Sequence, residues 1–166
     1  FIEGGIQLCF GRGEILEKSD SKLKYGVLLL KNPNVSISTA ETYRRYSNKF
    51  SNEYCTRTEN VENIRNYLRN NGLKKLNIED KSIDIKNDLQ LIVAEENDSV
   101  NDALYLLSNL KNILAFSMSG SGPTCFGLFK DVDTANIALK ENQNIFKGKG
   151  FDSWVCKLLD KGITLI

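Results

Sequence analysis

The sequence contains no histidine. Serine–histidine–aspartate and cysteine–histidine nucleophile pairs and imidazole metal sites are therefore excluded together. Any chemistry must come from carboxylates, lysines, hydroxyls or residues outside the chain. Cysteine is sparse and scattered: Cys9, Cys55, Cys125 and Cys156 form no C-x-x-C pair. Three of them sit in apolar runs, which predicts reduced, core-filling thiols in a cytosol rather than disulfides or zinc ligands. No apolar run approaches the ~20 residues that span a bilayer, and the first residues do not resemble a signal peptide. A cytoplasmic protein with no membrane partner is expected. Charge of one sign is lacking as well, since the formal net charge is +1. No broad field draws the chain to nucleic acid or to an acidic surface. Internal repeats, low-complexity tracts and Pro/Gly/Ser linkers are also missing.

What remains is an ordinary globular composition: 166 residues, 41% hydrophobic and 26% charged. That length supports one domain, or one domain plus a piece of another, with a real core. The chain opens at Phe1, inside an apolar segment and without a methionine, as a piece cut from a longer protein would.

Residues 1–15 read as two short strands, Ile2–Phe10 and Gly11–Ile15, turning at Gly11-Arg12-Gly13. Two strands make no core alone, so this piece needs a sheet to join. Lys24–Lys31 is a continuous apolar run between charges, the pattern of a central strand covered on both faces. Ser38 or Thr39 caps a short helix running to about Tyr46, with Glu41 in its first turn, and the polar residues 47–56 read as a loop. Thr58–Arg69 has helical spacing and stops at Asn70-Asn71-Gly72. After a connector at 83–87, helices are expected over Asp88–Glu96 and Asp98–Leu110. Strands follow around a glycine turn, then a helix over Asp131–Glu141 capped by Asp131 or Asp133, then a strand over Phe151–Leu158. A last strand is expected at Ile163–Ile166. Antiparallel strand pairs with helices gathered to one side define an α+β protein, and the element order fits a ferredoxin-like core of split β-α-β units.

The chemistry concentrates in Phe116–Phe129, F-S-M-S-G-S-G-P-T-C-F-G-L-F. Two apolar runs flank Ser119-Gly120-Ser121-Gly122-Pro123. The glycines permit φ > 0 and can bring consecutive N–H groups around one concavity. Such a nest, with hydroxyls at Ser119, Ser121 and Thr124, suits an anion such as a phosphate. A plain hairpin turn with hydroxyls facing water is the alternative. No Gly-Lys-Ser/Thr closes the loop, so it is not a Walker A motif.

Several segments together resemble the C-terminal half of the GHMP kinase superfamily, in the branch whose acceptor is a cytidine diphosphate derivative. M-S-G-S-G-P-T-C-F at Met118–Phe126 is similar to the superfamily's third motif. Phe1–Glu14 resembles its G-G-x-x-x-x-x-G-x-G-E strand pair, Asn32–Tyr43 its P-x-x-x-x-S-T-x-x-x-Y segment, and Asn87-Asp88-Leu89 the opening of the helix before the third motif. The resemblance covers essentially the whole chain, in order. It implies that residues 1–22 are a strand remnant of an N-terminal kinase domain, and that residues 23–166 are the GHMP kinase C-terminal domain.

The resemblance also implies a phosphotransferase moving the γ-phosphate of ATP, with Mg2+, to the 2-hydroxyl of a cytidine diphosphate substrate in the non-mevalonate route to isoprenoid precursors. Tyr43 matches the aromatic position on which the cytosine stacks, with Thr39 nearby at the same helix start. Ser119, Gly120, Ser121 and Gly122 match the turn beside the phosphates. A helix-face aromatic packed on the sheet is the other reading of Tyr43. Arg44 and Arg45 read better as a solvated pair than as phosphate ligands. The family's lysine, its P-x-x-x-G-L-G-S-S loop and its catalytic aspartate lie upstream, and none of those motifs occurs here. Asp84 and Asp88 are therefore not candidates for the base. The chain by itself is expected to hold no catalytic residue, no metal and no stably bound ATP, and to depend on the missing N-terminal kinase domain. Two other readings differ in class. A stand-alone ferredoxin-like regulatory domain for small molecules has no use for the glycine turn. An RNA-binding module lacks both the charge and an aromatic-studded strand.

Overall fold

A computed structural model describes residues 3–18, 24–55, 66, 85–159 and 162. Four strands form one antiparallel sheet: β3 (Gly26–Lys31), β4 (Ala115–Met118), β5 (Cys125–Phe129) and β6 (Asp152–Lys157), following β1 (Gln7–Phe10) and β2 (Ile15–Lys18) in the chain. The spatial order is β4-β5-β3-β6. With α1 (Thr39–Cys55), α2 (Gln90–Glu96) and α3 (Asp98–Ser108) between β3 and β4, and α4 (Val132–Gly148) between β5 and β6, two split β-α-β units interlock. This is the ferredoxin-like arrangement.

The continuous apolar run of β3 follows from its place. It lies between β5 and β6, and both its faces are covered. Leu28 and Leu30 join Val100, Leu107, Phe129 and Phe146 on the helix side. Tyr25 and Val27 join Ala115 and Leu128 on the other. Gly26 permits the close approach of β3 to the start of α4, where a Cβ would collide with the carbonyl of Asp131.

Caps define the helices. The Ser38 hydroxyl accepts from the N–H of Glu41 at 3.3 Å, opening α1. Asn97 Oδ1 accepts from the N–H of Val100 at 3.1 Å, opening α3. Asp131, not Asp133, opens α4, accepting from the Thr134 N–H at 2.7 Å and its hydroxyl at 2.6 Å. These bonds, that of the hydroxyl first, hold the Asp131 carboxyl below its usual range.

Several boundaries differ from the sequence-based expectation. α1 runs to Cys55, so most of the expected loop at 47–56 is helix. Polar residues there gave no apolar stripe. The extension is supported instead by Tyr46 and Phe50 one turn apart, with ring centroids at 4.8 Å, and by an ion pair from Lys49 to Glu95 of α2 at 2.6 Å. α4 continues seven residues past Glu141. It ends where Gly150 takes φ +80°, its N–H donating to Lys147 and the Phe151 N–H to Phe146. That is a glycine-terminated cap whose two phenylalanines both enter the core. Gly11–Glu14 form a turn, so the second strand begins at Ile15 rather than ending there; Gly11 and Gly13 both have positive φ. β1 and β2 pair with each other and form a separate two-stranded sheet.

Of the cysteines, Cys9, Cys125 and Cys156 are free thiols, but only Cys125 is buried. Burial raises its pKa to about 12. Cys9 lies on the hairpin and Cys156 on the end strand β6, and both are exposed. The helix expected over Thr58–Arg69 with its Asn70–Gly72 stop, the strand at Ile163–Ile166 and the boundary after residue 22 lie outside the described residues, apart from Asn66, which is helical.

Candidate functional site

The expected site residues come from two distant segments, and the fold brings them to one open cleft of about 1140 Å³. One wall is α1, which contributes Thr39, Tyr43, Ser47 and Ser51 at four-residue spacing. The other is the end of β4 with Ser119, Gly120 and Ser121; Asn87 and its neighbours close one end, and Phe126 contributes from β5. The walls touch directly: Thr39 Oγ1 and Ser121 Oγ lie 2.7 Å apart. Tyr43 is 60% exposed, so it is not a core aromatic packed on the sheet.

The glycine turn has a defined internal geometry. Ser119 N–H donates to the Thr124 carbonyl at 2.8 Å and Gly122 N–H to the Ser119 carbonyl at 2.9 Å. Gly120 and Gly122 have φ of +56° and +83°, and the Gly122–Pro123 peptide is cis. Gly122 does not line the cleft. A Cβ there would stand 2.7 Å from Met118 Sδ, whereas one on Gly120 would meet nothing within 4 Å. Gly122 shapes the turn from below, and Gly120 is at its open surface. The N–H groups of Gly120 and Ser121 have no hydrogen-bond partner among the described residues. Two adjacent free N–H groups beside a cleft can receive an anion.

Two residues that support this wall were not among the expected site residues, although Asn87 was noted in the Asn-Asp-Leu segment. Asn87 Nδ2 donates to the carbonyls of Met118 at 2.7 Å and Gly120 at 2.8 Å, while its Oδ1 accepts from the Leu89 N–H at 3.0 Å. Gln90 Oε1 accepts from the Ser117 hydroxyl at 3.0 Å and the Met118 N–H at 2.8 Å, satisfying the outer edge of β4, where no further strand pairs among the described residues. The Asn-Asp-Leu opening was a visible signal for Asn87. Nothing local signalled Gln90. Ser47 and Ser51 were hidden by reading their segment as a loop.

Arg44 and Arg45 are not directed at the turn. Both bind Glu41, at 2.6 and 2.7 Å, and Arg45 also pairs with Glu96 of α2. Hydrogen bonds from Arg44 and then Arg45 hold the exposed Glu41 carboxyl down to about 2. Of these pairs, Arg45–Glu96 together with Lys49–Glu95 connects α1 to α2 away from the cleft. Among the described residues, no cluster of three or more metal-ligating side chains is found, and Asp88 is the carboxylate that lines the cleft.

Sequence and fold both resemble known proteins. Residues 72–148, a little under half of the chain, match the family described as GHMP kinases C terminal. It is 66% identical, over 166 residues, to a protein of Prochlorococcus marinus (strain AS9601) named 4-diphosphocytidyl-2-C-methyl-D-erythritol kinase. It is 65% identical to the protein of that name from strain MIT 9312. Each match covers 100% of this chain and 53% of the relative; the chain spans about half the length of the curated relatives it matches. A crystal structure of 4-(cytidine 5′-diphospho)-2C-methyl-D-erythritol kinase superposes with a TM-score of 0.55, over 89% of this chain and 47% of that one, at 21% identity. At that identity the likeness speaks for the fold.

Proposed function

We propose that this chain is the substrate-binding part of an ATP-dependent kinase that phosphorylates the 2-hydroxyl of 4-diphosphocytidyl-2-C-methyl-D-erythritol. The observation that carries the reading is the Thr39–Ser121 contact at 2.7 Å. It joins the helix start proposed for the base to the glycine turn proposed for the phosphates, in one cleft. Tyr43 offers a ring face for the cytosine, with Thr39 one turn before it. Gly120 and Ser121 offer N–H groups to phosphate oxygens, in a turn shaped by Ser119 and Gly122. Ferredoxin-like regulatory domains need no such pairing.

Phosphoryl transfer rests on positioning and charge stabilisation around the transferred group. The contribution of this chain is to orient the acceptor and to hold phosphate charge. The nucleotide loop, the lysine and the aspartate acting on the hydroxyl are assigned to an N-terminal kinase domain, to which residues 1–22 also belong in this reading. The separate β1–β2 sheet, with Ile15 and Leu16 both more than 40% exposed, supports that division. ATP is the co-substrate. A lone cleft carboxylate does not make a Mg2+ site, so the residues described here do not fit the metal and no step is assigned to it. In this reading the reaction belongs to the cytoplasm and to the non-mevalonate route to isoprenoid precursors. No helix among the described residues is long and apolar enough to cross a membrane.

The test is transfer of labelled γ-phosphate from ATP by the full-length protein. The cytidine compound should be phosphorylated at its 2-hydroxyl, and the chain alone should be silent. Turnover of mevalonate or homoserine in its place would overturn the reading.

A further inference from the structure

We propose that Asn87 is a positioning residue that decides which face of the Gly120–Ser121 peptide is presented for anion binding. This rests on the reading that the glycine turn receives phosphate. A trans peptide directs its C=O and N–H in opposite directions. The Gly120 carbonyl is held by Asn87 Nδ2 at 2.8 Å, so the Ser121 N–H of the same peptide points away from Asn87 and has no partner among the described residues. Rotation of this peptide about its flanking bonds would exchange the two. An oxygen would then stand where a phosphate needs a donor. Gly120, at φ +56° and with open space at its Cβ position, imposes little steric resistance to that rotation. Ser121, whose φ is not positive here, would have to take positive φ after the rotation, and the amide of Asn87 adds the restraint that acts on the carbonyl itself.

Every polar atom of that amide is engaged. Its two N–H bonds serve the Met118 and Gly120 carbonyls, and its oxygen accepts from Leu89 at 3.0 Å. The backbone N–H of Leu89 requires the oxygen on one side and two carbonyls require the nitrogen on the other, so the amide has one orientation. Aspartate has the shape but no donor, serine has one donor instead of two, and glutamine is a methylene longer. A donor to the Gly120 carbonyl also polarises the peptide and strengthens the Ser121 N–H as a donor. Gln90 is the contrast. Its oxygen fixes the strand end at Ser117 and Met118 without touching the Gly120–Ser121 peptide.

The test uses the full-length protein with two separate probes, inorganic pyrophosphate for the turn and cytidine for the Tyr43 wall. Asn87→Asp places an oxygen against two carbonyls and should weaken pyrophosphate at least tenfold while leaving cytidine within about twofold. Asn87→Ala should show a smaller loss with the same selectivity, and it serves if the aspartate variant does not fold. A residue that only supports the fold would weaken both probes in parallel with a fall in Tm, and that result would overturn the proposal. So would unchanged pyrophosphate affinity in both variants. A crystal structure of the variant separates the two readings. If the wild type binds no pyrophosphate, the anion reading fails, but a rotated Gly120–Ser121 peptide in the variant still supports the role of Asn87. An unrotated peptide rejects it.

Discussion

Along the glycine turn the protein satisfies most polar groups itself: Ser119 and Gly122 bond within the turn, and Asn87 takes the carbonyls of Met118 and Gly120. Along α1 the opposite holds. The side chains of Tyr43, Ser47 and Ser51 line the cleft with no hydrogen-bond partner among the described residues. One wall is therefore a backbone shape with two donors left over, and the other is a row of side chains on a helix that stands without them. Substitutions on the first wall act through main-chain geometry. Those on the second remove a contact and leave the fold alone.

The largest effect should come from Gly120→Val in the full-length protein. A loss of the preorganised donor geometry costs on the order of 3 kcal/mol, so kcat/KM should fall a hundredfold or more. Stability should fall by only about 1–2 kcal/mol for a left-handed β-branched residue, since no neighbour meets its Cβ within 4 Å. Steady-state kinetics beside thermal melts decide it. Near-normal turnover with a much lower Tm would reduce the turn to a hairpin.

Tyr43→Ala tests the other wall and should be second. Stacking a base on an aromatic ring is worth ~1–3 kcal/mol, so KM for the cytidine substrate should rise about tenfold or more with KM for ATP nearly unchanged. Tm should hold, because the ring is 60% exposed. Equal losses for both substrates would mean that the two walls are not functionally distinct.

Ser121→Ala sits where the walls meet and should be milder. It removes the hydroxyl facing Thr39 but leaves the backbone path open. An exposed hydroxyl contact is worth about 1 kcal/mol at most, which predicts a change of roughly fivefold or less in either KM. An effect as large as that of Gly120→Val would transfer the anion-binding role from the backbone to this side chain.

The smallest effect concerns the rear of α1. The Glu41 carboxyl is depressed from 4.5 to about 2 by Arg44 and Arg45. A depressed folded-state pKa stabilises above the unfolded value, and that contribution is lost as pH falls from 4.5 towards 2. Because the group is exposed and salt screens it, the loss should be slight. A Glu41→Gln variant should lose the wild type's extra fall in Tm over that range while binding cytidine normally at neutral pH. A change in cytidine affinity would show that these pairs, lying behind the cleft, still orient Tyr43.

Legibility followed how local the physical cause was. β5, the start of α1 and the glycine turn were readable because an apolar run, an N-cap and paired glycines act within a few residues. The second half of α1 was not, because Ser47 to Cys55 is mostly polar and its supports include Glu95, remote in sequence. The Schellman end of α4 had its glycine in plain view at 150, but the polar Glu141–Asn144 interrupted the stripe before Phe146 re-entered the core. The exposure of Cys9 and Cys156 depended on which faces other layers cover, and a run of apolar neighbours does not reveal that.

By itself the sequence determined the chemistry available: no imidazole, a turn able to hold φ > 0 twice, hydroxyls around it, and an aromatic one turn into a capped helix. These are properties of residue types and short spacings. The tertiary structure alone decided that Thr39 and Ser121, 82 positions apart, meet at 2.7 Å, that Gly122 lies beneath the turn while Gly120 faces the cleft, and that Asn87 grips the Gly120 carbonyl. Those outcomes depend on the order β4-β5-β3-β6. The antiparallel ladder carries the turn after β4 to the same end of the sheet as the helix that follows β3, and only long-range strand pairing brings the two together.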